Sequence, residues 1–365
     1  MTAQPTPSWR LPDLPSQTRL PARRCGPAPR RLPALLAAGA VIACAAAPTS
    51  AAGPTAGTAP QVDVARLDYG LRARSLAPGA WVVEGANADF AVANGCNIIN
   101  TGFFSTGAGV VVVNTGTSRL YGEQLRALIQ STTPEPVVQV IHLNLHPDYF
   151  LGNQGFADRP RLATALTAAG IAREAAAYET NLFRLCGDWM KGTETRAPDQ
   201  VLQVPTEGRR WAVGQRRFEL HELAGHTDSD LVLIDRASGV AFVGGLVFAD
   251  RVPTTPHARI PQWLRSLDRL SALLKEAGVK TVVPSHGPVH EGERGLAQTR
   301  RFLQWLDGGF TRWAQAGLDM NEVLRAPVPA DIRALAAFDT EYVRNVAHLY
   351  PRYEQQALGG SARSR

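Results

Sequence analysis

The amino-acid sequence predicts a mixed α/β protein with a sandwich architecture, because short β runs alternate with amphipathic helical stretches along most of its length. The clearest β run, Val110–Val113, is apolar at every position, as expected for a strand covered on both faces. Ser118 has the character of a helix N-cap. Leu125, Leu128 and Ile129 then mark one apolar face of the helix that follows.

The remaining elements follow in chain order. Strands are predicted at 80–84, 97–104, 136–143, 218–223 and 279–284, with a hairpin formed by 231–234 and 240–243. Helices are predicted from 118, at 168–190, at 261–277 and from 296 onward. A polar loop at 144–149 follows the strand that ends at 143. Polar loops at strand ends are the expected places for the chemistry of such a sandwich.

The basic character of the chain belongs to its first residues. Residues 1–43 hold six arginines and a single acid, Asp13, which is a net charge of +5 out of +6 for the whole chain. The rest of the protein is therefore close to neutral, and a nucleic-acid partner is not expected.

The same leader predicts export. Arg30 and Arg31 precede an uncharged apolar run, 32–44, which has the length of a signal peptide and is too short to span a bilayer comfortably. Cleavage beside Ser50-Ala51-Ala52 would release a periplasmic protein. Alternatively, Cys44 ends a lipobox and becomes a lipid anchor, the one expected link to a membrane. Residues 1–60 are thus predicted to be an export signal and a disordered tether.

Two cysteines remain in the predicted mature protein, since Cys25 and Cys44 fall in the leader. In an oxidising compartment Cys96 and Cys186 would pair and close a loop of about 90 residues. The alternative is two buried free thiols. We predict that the two cysteines pair after export.

Three of the eight histidines occur where a predicted strand runs into a loop: His146, His226 and His286. Asp148 lies two residues beyond the first of them, and imidazole and carboxylate both suit zinc. A single histidine at a strand end is usually a hydrogen-bonded structural residue. Three of them, each beside glycine or proline, favour a metal site.

The order of short motifs resembles that of a known family. The motifs are Asn100-Thr-Gly-Phe103, Val111-Val-Val-Asn-Thr-Gly116, His146-Pro-Asp148, Gly225-His-Thr227 and Pro284-Ser-His-Gly-Pro288. Together they resemble the metallo-β-lactamase superfamily over about residues 75–305. The resemblance implies a four-layer αββα sandwich at 61–305, with metal ligands on loops at one edge of the sheets. Residues 306–365 would form a C-terminal helical extension.

One branch of that family is more similar than others, the quinoprotein relay system zinc metallohydrolases. The similar segments are Asn94-Gly-Cys96, Leu151-Gly-Asn-Gln154, Cys186-Gly-Asp-Trp189 and Arg344-Asn-Val346. This resemblance implies a periplasmic protein that is accessory to a quinoprotein dehydrogenase or a c-type cytochrome system.

The departures from the family pattern are concentrated in the metal ligands. In the signature His-x-His-x-Asp-His, the first histidine is replaced by Asn144 and the last by Tyr149. The bridging acid is replaced by Gly245, and the aspartate of the Asp-Thr-Gly turn by Asn114. By resemblance, His146 and His226 would serve the first metal position.

Asp148 and His286 would by the same resemblance serve the second position, so each position keeps two of its usual ligands. We therefore expect at most one zinc ion, bound by His146, His226 and His286, with Asp148 either as the fourth ligand or as a residue that supports a ligand. Completion of the shell by Asn144 or Tyr149 is an open alternative.

Several roles stay open at this stage. Tyr149 would otherwise keep its ring in the packing of the loop. Asp250 and His257 are alternative ligands, although their spacing in the sequence does not require this role. His142 would point to the same face of its strand as Asn144 and His146, so its side chain could reach the edge of the site.

Two functions compete on this evidence. In the first, one zinc activates water and Asp148 acts as the catalytic group in hydrolysis of an ester, amide or thioester of unknown identity. In the second, the fold is kept as a non-catalytic binding or accessory protein. If the loss of the bridging acid limits the protein to one zinc ion, the triple variant Gly245→Asp, Asn144→His and Tyr149→His should raise the number of bound zinc ions toward two.

Overall fold

The computed structural model describes residues 62–363. The predicted export signal and tether, with Cys25 and Cys44, lie outside the described residues. Among the residues described, none of the helices combines the length and the apolarity that crossing a membrane would require.

Two β-sheets form the centre of the fold. The first contains, in spatial order, β1 Arg74–Ala77, β2 Ala80–Val83, β3 Thr101–Ser105, β4 Val110–Val113, β5 Val137–Ile141, β6 Arg161–Thr164 and β7 Gln200–Leu202. Its first four strands pair antiparallel, and β4 to β7 pair parallel.

The second sheet has the spatial order β13-β12-β11-β10-β9-β8. Its strands are β8 Arg209–Val213, β9 Arg216–Leu223, β10 Asp230–Asp235, β11 Val240–Phe242, β12 Thr281–Val283 and β13 His290–Glu291. All its neighbours pair antiparallel except β11 and β12, which are parallel.

Helices cover the outer faces of both sheets. They are α1 Arg119–Thr132, α2 Pro147–Phe150, α3 Ala165–Cys186, α4 Ile260–Glu276, α5 Arg294–Gln315, α6 Met320–Leu324, α7 Ala330–Arg333 and α8 Phe338–Arg363. The predicted N-cap is confirmed, because the Ser118 hydroxyl accepts a hydrogen bond from the Tyr121 amide at the start of α1.

Three apolar cores separate four layers. Strand β4 shows the arrangement, because Val110 and Val112 pack toward α1 while Val111 and Val113 pack between the two sheets. The third core joins the outer face of the second sheet to α4, α5 and α8. The predicted αββα sandwich is confirmed, and the all-valine strand is explained by burial on both faces.

The C-terminal helices are part of the third core. Phe302 and Phe310 of α5 and Tyr350 of α8 are buried in it together with Val232 of β10. Helix α5 runs without a break across residue 305, where the sequence suggested the start of an extension.

Two predicted elements differ from the structure. The strand predicted at 97–104 begins only at Thr101, because the Asn100 side chain donates to the carbonyl oxygens of Pro284 and Gly287 and ties this segment to another loop. The loop predicted at 144–149 contains the short helix α2, which begins with Pro147 at the position where proline suits a helix.

The predicted disulfide is confirmed. Cys96 and Cys186 are bonded, with their Cα atoms 6.0 Å apart and 90 residues apart in sequence. Cys186 is the last residue of α3, so the bond ties the end of that helix to the segment that precedes β3.

Candidate functional site

The predicted site residues come together at one edge of the sandwich. His146 and Asp148 lie at the start of α2, His226 follows β9, and His286 follows β12. All four are buried, with 7%, 2%, 0% and 3% of their surface exposed, respectively. Burying several ionisable groups together costs free energy unless they are paired or bind a ligand. Such clusters are typical of functional sites.

His286 faces Asp148. Its Nδ1 lies 2.8 Å from the carbonyl oxygen of Ile98, and a carbonyl can only accept, so Nδ1 carries the proton. The Nε2 atom therefore keeps its lone pair, and it lies 3.6 Å from Asp148 Oδ2, which has no hydrogen-bond partner. A backbone carbonyl behind an imidazole is the usual support of a metal-binding histidine.

His226 has the same kind of support from a carboxylate. Its Nδ1 lies 3.3 Å from Asp230 Oδ1, and its Nε2 is buried without a hydrogen-bond partner. The rings of Phe248 and Trp263 pack against it at centroid distances of 5.3 and 5.2 Å. The His146 ring stands across it at 4.6 Å. His226 thus has an unpartnered Nε2 atom, and its ring lies next to the ring of His146.

Asn144 does not complete a metal shell in this arrangement, because its amide atoms are already engaged. The oxygen accepts from the His146 backbone amide at 2.9 Å. The nitrogen donates to Asp230 at 2.6 Å and to Thr227 at 3.1 Å. Asn144 therefore positions the loop of His146 and stabilises the buried Asp230 by a hydrogen bond.

Asp230 is a site residue that the sequence analysis missed. It is fully buried and accepts hydrogen bonds from Asn144 and from the Thr227 amide, beside His226. The available signal was an acid directly before the apolar run of β10, where a buried charge needs an explanation.

Tyr149 packs its ring between the two sheets, among Ile141, Leu143 and Val283. This is the packing role that the sequence analysis gave as the alternative to a metal-ligand role for Tyr149. Burial holds the pKa of its phenol well above the usual value, so the side chain stays neutral.

The ionisation of the site follows from burial. Burial lowers the pKa of His146 and of His286 well below the usual value, and the neighbouring imidazoles lower that of His146 further. Burial also raises the pKa of Asp148 to about 6. His146 and His286 are therefore neutral at pH 7, which is the form that binds metal.

Gly245 occupies the place of the missing bridging acid, and that place is filled. A Cβ atom at Gly245 would lie 2.0 Å from His226 Nδ1 and 2.6 Å from Asp230 Oδ1. The hydrogen-bonded pair of His226 and Asp230 occupies the space where a longer side chain would stand. An aspartate at Gly245 would therefore require the side chains of His226 and Asp230 to shift before a second metal position could form.

Of the other candidates, only His257 reaches the site. Its Nδ1 lies 3.1 Å from His146 Nε2. Asp250 instead pairs with Arg294 on the protein surface. His142 bonds the Tyr149 carbonyl through Nδ1, and burial lowers its pKa to about 4.

A cavity of about 210 Å³ opens over these residues. His146, Asp148 and His286 form part of its wall, together with Tyr178, Arg344 and Glu341. Glu341 also pairs with the buried Arg251 at 3.3 Å. The cavity therefore carries charges of both signs next to the imidazole cluster.

The donor atoms of the site are of the types that bind metal ions. In the part of the chain that the structure describes, no three His, Cys, Asp or Glu side chains converge in an arrangement that could hold an ion. The donor types nevertheless suit zinc, because the Nδ1 atoms of His226 and His286 are supported by hydrogen bonds and Asp148 has an unpartnered carboxylate oxygen.

The chain belongs to the metallo-beta-lactamase superfamily. The family's sequence model matches residues 94–286, more than half of the 365 residues. The fold is similar to the metallo-beta-lactamase from Pontibacter korlensis, with a TM-score of 0.52, 22% identity, and 64% of this chain and 99% of that chain covered.

The metallo-beta-lactamase from Hirschia baltica is similar to the same extent, with a TM-score of 0.52, 17% identity, and coverage of 64% of this chain and 97% of that one. At these identities the likeness shows the fold alone. No curated protein matches the sequence.

Proposed function

We propose that the protein is a hydrolase that works with a single zinc ion. The observation that carries the proposal is the pair of buried, unpartnered atoms His226 Nε2 and Asp148 Oδ2 within one cluster of imidazole rings. Leaving such atoms without a partner is costly, and a bound cation removes that cost.

The residues of the proposed zinc site have different roles. His146, His226 and His286 are the donors from which the ion would be held, and Asp230 and Ile98 keep two of these rings in the tautomer with a free Nε2. When bound, zinc supplies Lewis-acid polarisation of a carbonyl group and of water.

Asp148 lies on the cavity wall with a free carboxylate oxygen. It is the group placed to accept a proton from the attacking water. The 210 Å³ cavity holds the acyl part of an ester, amide or thioester.

The place of action is proposed to be the bacterial periplasm. The bonded pair Cys96 and Cys186 supports an oxidising compartment, where disulfides persist. The accessory role beside a quinoprotein dehydrogenase or c-type cytochrome is carried over from the sequence resemblance, as is lipid attachment at Cys44.

A second candidate function is a non-catalytic binding protein that uses the same cavity. It is favoured by the filled bridging position at Gly245 and by the absence, among the described side chains, of three converging metal donors. In that case the imidazole cluster is a polar wall of a binding pocket.

Turnover by zinc-loaded protein separates the two functions. We expect hydrolysis of activated aryl esters or thioesters above the uncatalysed rate. His226→Ala should lower it by at least a hundredfold, because the ion is lost. His348→Ala, which changes an exposed histidine outside the site, is the matched control. A zinc-loaded protein without turnover, or a His226→Ala variant as active as its parent, argues for the binding function.

A further inference from the structure

A second pocket lies on the outer side of the second sheet, separate from the imidazole cluster. It has a volume of about 300 Å³ and is formed by the start of β8 and the loop before it, by β9 and by the second half of α4. The ionisable residues that line it are Arg209, Arg210, Arg236, Arg269, Glu207, Glu219, Glu276 and His221. All of them differ from the residues that line the cavity beside Asp148.

Two of the three acids in this pocket are engaged by a single arginine. Arg236 Nε donates to Glu219 Oε1 at 2.6 Å, and another of its nitrogens lies 3.7 Å from Glu276 Oε1. Glu219 is directly opposite Arg210 in the pairing of β8 with β9, where a cross-strand ion pair would form if Glu219 were free. Because Arg236 takes this acid, Arg210 is left without an ion pair.

The pocket therefore carries an excess of positive charge with unused donors. Within residues 62–363, the guanidinium groups of Arg210 and Arg269 make neither a hydrogen bond nor an ion pair. Arg209 donates only to the uncharged carbonyl of Gln203, and the one remaining acid, Glu207, is exposed. A guanidinium group is a planar fork of N–H donors that binds an oxyanion through two hydrogen bonds at once.

His221 adds a buried nitrogen atom to the same pocket. The residue is only 9% exposed, and its Nε2 has no hydrogen-bond partner among the described residues. The ring packs against the backbone of the loop before β8, because a Cβ atom at Gly208 would lie 2.4 Å from it. Burial lowers the pKa of His221, so the ring is neutral at pH 7 and one of its nitrogens carries a proton. A ligand that pairs with this ring removes the cost of leaving a buried polar atom unpaired.

We propose that this pocket binds a phosphate group, either as free phosphate or as the end of a phosphate monoester, through Arg210, Arg269 and His221. A phosphate group suits the pocket better than a carboxylate does. It carries about two negative charges at neutral pH and has more acceptor oxygens, which matches two unpaired guanidinium groups and an imidazole. The site is independent of the proposed hydrolase activity. Since its donors come from β8, β9 and α4, the bound anion also links α4 to the sheet.

The test measures phosphate binding by full-length variants near neutral pH and at constant ionic strength, with chloride as the reference anion. Inorganic phosphate and the monoester phenyl phosphate are titrated separately by calorimetry. We expect Arg210→Gln and Arg269→Gln each to weaken phosphate binding by about tenfold or more, because each removes charge-assisted hydrogen bonds. Arg265→Gln is the matched control and should bind like the parent. It removes the same charge one turn earlier on α4, where Arg265 bonds Gln262 outside the pocket.

Thermal unfolding gives a second readout. Phosphate should raise the unfolding midpoint of the parent and of Arg265→Gln relative to chloride, and should raise that of Arg269→Gln much less. Binding of both ligands would show that the site accepts phosphate esters, and binding of inorganic phosphate alone would show that the ligand is the free ion. Either result supports the proposal. It is wrong if the parent binds neither ligand, if acetate binds as strongly as phosphate, or if Arg210→Gln and Arg269→Gln bind phosphate like the parent.

Discussion

Replacing Gly245 by aspartate is expected to lower the free energy of unfolding by about 3 kcal/mol or more and to add no second zinc ion. The new Cβ atom would meet His226 Nδ1 at 2.0 Å, and the new carboxylate would enter beside the buried carboxylate of Asp230. Overpacking and an uncompensated buried charge both lower the free energy of unfolding. Denaturant unfolding and elemental analysis measure the two effects.

Two further glycine variants separate the causes. Gly245→Ala introduces the steric contact without the charge and should be destabilising by a smaller amount. Gly308→Asp is the matched control, because a Cβ at Gly308 meets only the flexible end of Arg312 at 3.1 Å, and an acid there pairs with an arginine one turn later. A stable Gly245→Asp protein with two zinc ions would show that the bridging position is open after all.

Removing the disulfide is the second change with a large expected effect. The double variant Cys96→Ala and Cys186→Ala should lose about 4 kcal/mol of unfolding free energy, because the bond closes a loop of 90 residues in the unfolded chain. The measurement is denaturant unfolding of both proteins under oxidising conditions.

The parent provides the control for that experiment. Full reduction should bring its stability close to that of the double variant, since both then lack the same cross-link. Equal stability of the oxidised parent and the double variant would contradict a stabilising role of the bond.

Local sequence pattern was sufficient to predict an α/β sandwich for identifiable physical reasons, whereas its four-layer arrangement was implied by the family resemblance. The run Val110–Val113 requires apolar surroundings on both faces, and the Ser118 cap marks the start of α1. The motifs around His146, His226 and His286 lie at strand ends, so folding of the sheets brings them to the same edge. These features depend on local pattern, which a sequence displays directly.

Other features depend on contacts between distant segments. Asp230 was missed because its partners, Asn144 and His226, come from different loops. His257 lies 3.1 Å from His146 although the two are far apart in sequence, and Asn345, about 90 residues later, donates to the Pro253 carbonyl that precedes it. The filled space at Gly245 is likewise a property of packing and has no local signal in the sequence.

The zinc content of the purified mature protein tests the central claim most directly. The protein is loaded with zinc, excess metal is removed, and native mass spectrometry counts the ions bound to each chain. The filled position at Gly245 and the cluster of supported imidazoles lead us to expect one zinc ion per chain. Two tightly bound ions, or none after loading, would contradict the account of a single-zinc site.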